Sequence, residues 1–231
     1  MRKITAIAIS LLVAAIVFIA GQSYLKNKAW TDGVKSLSEW EIIEPNDYNG
    51  GIGDIVIGDK NAKVKVIEYA DFQCSACAIT FPYIHDVVKE YGDQIAYVYR
   101  NYAISYHQNA TAAATAAFAV NNQGYFEDYA KLLFEKQEDW FYAEGVERDN
   151  LFEGYFKEVA GDSADLDRYK ADLKSSEIKN KLALDREFAN RVKLNATPLI
   201  YINKEKFDVE SSKESEFKQS LRDRIDAALK D

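Results

Sequence analysis

The spacing of hydrophobic and polar positions changes several times along the chain, and each change marks a boundary. An uncharged, strongly apolar run extends from Ile4 to Gly21 behind Arg2 and Lys3. Its roughly 17 apolar residues would span about 25 Å as a helix, just enough for a bilayer. The run is apolar all round, which disfavours a helix buried on one face. Phe18-Ile19-Ala20-Gly21 is a poor cleavage site. The pattern therefore predicts a retained signal anchor, a transmembrane helix over residues 1–24. A cleaved signal peptide is the alternative, and either one exports the remainder. Residues 25–54 are mixed in polarity and rich in turns around Asn49-Gly50-Gly51. They are expected to be a tether that joins the fold near its end.

From residue 55 the pattern is that of a folded domain, 55–231. Ile55-Val56-Ile57 predicts a short strand, and Val64–Ala70 a longer one. On that strand Val64, Val66 and Glu68 share one face, and Lys65, Ile67 and Tyr69 the other. A helix follows from about Ser75 to Tyr91, with Pro82 inside it, where it should kink. Gln94–Asn101 alternates and reads as the next strand. Then helical periodicity dominates from about 104 to 194. Its segments are Asn109–Asn121, Tyr125–Lys136, Asp149–Ala160 with Asp149 as N-cap, Asp165–Lys174 and Glu177–Lys193. Leu199–Ile202 and Lys206–Val209 predict a closing hairpin. A capping-box pattern, Ser211 to Glu214, opens a last amphipathic helix. The expected fold class is α/β: one sheet with an inserted all-helical subdomain.

Composition narrows the function. A formal charge of −8 argues against a nucleic-acid partner. Cys74 and Cys77 are the only cysteines, so they cannot staple distant parts of the fold. They stand where a strand feeds a helix. A helix N-terminus offers unpaired N–H groups and a positive dipole end, and both favour a thiolate. This is a redox geometry. Glu68, a carboxylate beside two valines, is costly if buried without a partner. It is either a partly exposed strand acid or a buried proton acceptor for the second cysteine.

The order of elements resembles the thioredoxin fold, and within it the DsbA-like thiol–disulfide oxidoreductases of the membrane-anchored bacterial type, over about residues 55–230. The resemblance rests on Lys63–Cys77 (KVKVIEYADFQCSAC), on His107-Gln108-Asn109-Ala110 and on Ala196-Thr197-Pro198. It implies Cys74 as the nucleophile, Cys77 as the resolving cysteine and Glu68 as the buried acid. It implies that Thr197 and Pro198 form a cis-proline loop that receives substrate, while Ser75, Ala76 and Pro82 shape the site. No cofactor beyond the Cys74–Cys77 disulfide is implied, and no metal. The implied partners are reduced exported proteins and a quinone-linked membrane oxidase, met by a monomer whose catalytic domain lies outside the cytoplasm. Ser75-Ala76 lacks the proline–histidine pair of the most oxidising members, and Ala196 stands where many relatives have glycine.

Three rivals stand beside this reading. A disulfide reductase or isomerase would use the same cysteines. A zinc module would need Cys74, Cys77, His85 and His107, whose spacing is far from usual. A chaperone-like scaffold would need neither sulfur. His85 is expected on the surface of the first helix and His107 at the start of the insertion, both without a catalytic role.

Overall fold

The computed structural model describes residues 2–209 and 211–230, with side chains from residue 12 onward. The chain divides into two compact units, residues 1–38 and 39–231.

In the first unit, helix α1 runs Arg2–Val34. Its described apolar run, Leu12–Ala20, gives way within the same helix to Gln22, Ser23, Lys26, Asn27 and Lys28. That run is ~14 Å of helix, about half of a ~30 Å hydrocarbon core. Among the described residues, no helix is long and apolar enough to cross a membrane. The transmembrane helix expected over residues 1–24 is corrected on this ground. The part of that expectation resting on Met1 and on the side chains of residues 2–11 lies outside the described residues.

The second unit is built on a five-stranded sheet. Its strands are β1 (Ile55–Gly58), β2 (Val64–Ala70), β3 (Ile95–Asn101), β4 (Leu199–Ile202) and β5 (Glu205–Phe207). Their spatial order is β1-β3-β2-β4-β5. The β2–β3 pair is parallel, because helix α2 (Ser75–Tyr91) makes the crossover between them. The other pairs are antiparallel. β1 ends at Gly58, where φ is +89° and a Cβ would come within 2.2 Å of the Ile95 carbonyl oxygen.

The helical insertion separates β3 from β4. It comprises α3 (Ala110–Asn121), α4 (Phe126–Glu135), α5 (Gln137–Trp140), α6 (Gly145–Ala160), α7 (Leu166–Asp172) and α8 (Ser176–Arg191). Helix α6 starts before Asp149, so that residue is not the N-cap; Glu144 is. Asp149 instead lies inside the helix, paired with Arg148 at 2.7 Å. The closing helix α9 (Glu214–Lys230) also opens differently from the expected box. The Ser211 hydroxyl accepts from the Lys213 N–H and donates to Glu216, not Glu214.

Register decides which side chains meet. Val66 pairs with Tyr97, and Glu68 with Tyr99 on β3 and Ile200 on β4. Paired residues point the same way, so these form one face of the sheet. Buried Cys77, Phe81, Ile84, Val87 and Val88 of α2 belong to the same apolar cluster. Burial of that cluster at roughly 25 cal/mol per Å² is the main favourable term of folding.

The opposite face carries Tyr69 and Arg100, paired in register. Arg100 is fully buried and donates to Asp54 at 2.8 Å, to the Glu41 carbonyl at 2.7 Å and to the Glu39 carbonyl. Lys181 of α8 donates to Asp54 at 2.9 Å and to Asp185 at 2.6 Å, and all three side chains are fully buried. Of the stretch expected to be a tether, residues 39–54 thus belong to the folded unit.

Candidate active site

Cys74 is the N-cap of α2, and Cys77 lies one turn inside it. The strand end Ala70 and the loop 71–73 set this position. Buried Asp71 accepts from the Gln73 N–H at 2.8 Å and the Ile104 N–H at 2.8 Å. The Gln137 amide of α5 donates to the carbonyls of Phe72 at 2.6 Å and Cys74 at 3.2 Å. The insertion therefore buttresses the loop that carries the first sulfur.

The two sulfurs differ sharply. Cys74 is partly exposed, Cys77 is buried, and both are free thiols. The Cys74 thiol donates to the Thr197 carbonyl at 3.4 Å. Its pKa is lowered to about 5. The largest cause is a hydrogen bond from the Cys77 thiol, which outweighs the opposing effect of partial burial. The Thr197 hydroxyl and the backbone N–H groups of Cys77 and Ala76 also favour the thiolate. These N–H groups belong to the open first turn of the helix, whose unpaired donors and positive dipole end favour an anion at its head. In the thiol form the Thr197 hydroxyl has no partner, although it is buried. Ionisation of Cys74 gives that hydroxyl an acceptor. Burial pushes the Cys77 thiol well above its usual range, and the hydrogen bond to Cys74 adds to this.

Glu68 is completely buried. Burial raises its carboxyl to about 7, against an opposing hydrogen bond from Tyr97. Its Oε2 accepts from the Tyr97 hydroxyl at 2.5 Å, while Oε1 has no hydrogen-bond partner. Its negative charge also raises the Cys77 pKa. Of the two sequence readings for Glu68, the partly exposed strand acid does not describe this side chain.

The Thr197–Pro198 peptide bond is cis. Thr197 is buried and Pro198 is partly exposed at the entrance to β4. Ser75 and Ala76 are exposed between the sulfurs. Pro82 is exposed on α2, and the helix continues across it to Tyr91. The structure thus brings Cys74, Cys77, Glu68 and Thr197 together, with Pro82 two turns away.

One of the two histidines departs from expectation. His85 is buried rather than on the surface, with its ring 3.9 Å from Phe81 and 5.2 Å from Tyr97 between centroids. Burial lowers its pKa to about 4, which keeps it neutral. His107 lies in the turn before α3, with Nδ1 2.8 Å from Asp71. Among the described residues, no group of three or more histidines, cysteines and acids is placed to hold a metal ion. Sequence reasoning missed Tyr97. The alternation of QIAYVYRN puts Tyr97 and Tyr99 on one face, but only the β2–β3 register aims that face at Glu68.

Comparison with known proteins gives a consistent picture. The sequence profile of the thioredoxin family matches residues 51–223. A thioredoxin-like oxidoreductase from Silicibacter pomeroyi superposes with a TM-score of 0.62 at 21% identity, covering 80% of this chain and 98% of that one. BdbD from Bacillus subtilis, in its oxidised form, gives 0.63 at 22% identity over 83% and 98% of the two chains. Wolbachia pipientis alpha-DsbA1 gives 0.58 at 21% identity over 76% and 92%. At these identities the likeness is one of fold. Among curated sequences, the Na(+)/H(+) antiporter NhaA 1 of Mycolicibacterium vanbaalenii is 29% identical over 153 residues, 65% of this chain. The match spans only 23% of that protein's length.

Proposed function

Proceeding from the fact that the chain belongs to the thioredoxin family, we propose that it is a protein thiol–disulfide oxidoreductase of the DsbA-like type that works as an oxidase. It passes the Cys74–Cys77 disulfide to reduced exported proteins.

One observation carries the direction: the asymmetry of the two sulfurs. A Cys74 pKa near 5 means that the reduced site is stabilised as a thiolate. A stabilised reduced form makes the disulfide a stronger oxidant. The value falls between the ~7 typical of a reducing thioredoxin and the ~3.5 of a strong oxidant.

In the forward reaction a substrate thiolate attacks the Cys74 sulfur. The Cys74–Cys77 bond breaks, and Cys77 leaves with the electron pair. Its high pKa makes it take a proton at once, and Glu68 is the nearby acid that can supply it. A second substrate thiolate then attacks the substrate sulfur of the mixed disulfide. The substrate disulfide forms, and Cys74 departs as a thiolate held by the helix N-terminus. The cis Thr197–Pro198 loop beside Cys74 supports binding of an extended substrate by backbone pairing. Net flux in this direction needs an oxidising compartment, hence a site outside the cytoplasm. A quinone-linked membrane oxidase is the recharging partner that the family resemblance implies.

The test is stoichiometric. The oxidised chain is mixed with a reduced, unfolded protein that has several cysteines, and substrate disulfides are counted by mass spectrometry. The expected result is one substrate disulfide per chain, lost in Cys74→Ser. A chain that adds no disulfide but accelerates insulin reduction by dithiothreitol would favour the reductase reading.

A further inference from the structure

Glu68 and Tyr97 form a unit whose consequences reach beyond the two sulfurs. They stand on neighbouring parallel strands and on the same face, Tyr97 lying two residues before Tyr99, the register partner of Glu68. The Tyr97 hydroxyl donates to Oε2 of Glu68 at 2.5 Å. Tyr97 is itself immobilised: it is 1% exposed and stacked edge-on against the buried His85 ring at 5.2 Å. Nothing donates to Oε1, the second carboxylate oxygen. The neighbouring Tyr99 hydroxyl is buried and unpartnered too, so it does not share the task.

A phenol buried beside a carboxylate stays protonated and remains a donor. Oxygen Oε2 is therefore committed as an acceptor in either state of the acid. When Glu68 is protonated, the proton has to reside on Oε1. We propose that Tyr97 is a positioning residue of the exchange reaction: by occupying Oε2 of Glu68, it makes Oε1 the oxygen that takes and returns the Cys77 proton.

This inference rests on the exchange reaction proposed above. In its resolving direction, Cys77 gives its proton to Oε1 and the thiolate attacks the Cys74 sulfur of a mixed disulfide. The Cys74–Cys77 bond forms, the bond to the partner sulfur breaks, and the partner leaves as a thiolate. The reverse reaction returns the proton from Oε1 to Cys77. Around Glu68 the titratable neighbours are Tyr97 and Tyr99 on β3 and Cys77 on α2, while the β4 partner is the apolar Ile200. The hydroxyl of Tyr97 is the one hydrogen bond that opposes burial of the charge.

The experiment follows this step alone. The full chain is prepared with glutathione disulfide-linked to Cys74, and its release by Cys77 is timed in a single turnover across pH. For the unaltered chain an inflection near pH 7 is expected, set by Glu68. Tyr97→Phe should move the inflection up by about one unit and slow release about 10-fold below it, because the donor that favoured the carboxylate is gone. Replacing Tyr97 by 3-fluorotyrosine, a more acidic donor of nearly equal volume, should move it down; this variant carries the test if Tyr97→Phe does not fold. Glu68→Gln should abolish the inflection, and adding Tyr97→Phe to it should then change nothing further. If both Tyr97 variants keep the original inflection while Glu68→Gln abolishes it, the role of Tyr97 is overturned and that of Glu68 stands. If Glu68→Gln keeps the inflection, the role of Glu68 falls, and that of Tyr97 with it.

Discussion

Placing a carboxyl group at Glu68 makes stability depend on pH in a direction that can be worked out. Its pKa rises from about 4.5 in the unfolded chain to about 7 in the fold. The folded state therefore holds the proton more tightly, and the resulting stability is complete below pH 4.5 and lost as pH rises through 7. The loss amounts to about 3 kcal/mol. Glu68→Gln keeps an acceptor for Tyr97 and never ionises. The reduced variant should thus match the parent near pH 4 and exceed it by about 2–3 kcal/mol at pH 8, in urea unfolding. Equal stability at both pH values would mean that Glu68 does not ionise inside the core. At this scale the sequence was informative where chemistry is local. Cys74, Cys77 and the odd carboxylate at 68 announce themselves by type and spacing. Tyr97 does not, because its relation to Glu68 exists only through a strand pairing. His85 also misled: its neighbours Asp86 and Lys89 are exposed, but the turn of α2 directs the imidazole inward against Phe81.

At the scale of elements, the buried cluster of Asp54, Arg100, Lys181 and Asp185 ties together the segment before β1, the strand β3 and the helix α8. Burial raises the Asp54 pKa, but Arg100 and Lys181 outweigh it and hold the carboxyl well below the usual range. Asp54→Ala would leave two buried cations short of a partner. Breaking such a network costs about 3–5 kcal/mol. The measurement is the unfolding free energy in urea at pH 7, and a loss under about 1 kcal/mol would show that the cluster is dispensable. Strands and long helices were readable from periodicity, since a period of two or of 3.6 survives in the sequence. The cluster was not readable, because its members lie as far apart as 54 and 185. The start of α6 was missed for a related reason. Asp149 suits an N-cap, yet Glu144 in extended conformation before Gly145 is where the chain turns into the helix.

For the whole molecule, the sheet, the crossover helix and the insertion converge on one loop end. There the sulfur at the head of α2 meets the cis-proline loop before β4. The membrane-spanning helix was the largest expectation to be corrected: among the described residues no helix is long and apolar enough to cross a membrane, and polar residues continue the apolar run of α1. The central claim is that this arrangement stores an oxidising disulfide. It is tested most directly by equilibrating the Cys74–Cys77 pair with glutathione and measuring its reduction potential. The account predicts a value between about −120 and about −180 mV, the range of disulfide donors. A value near about −270 mV, that of thioredoxin, would contradict it and make the protein a reductase.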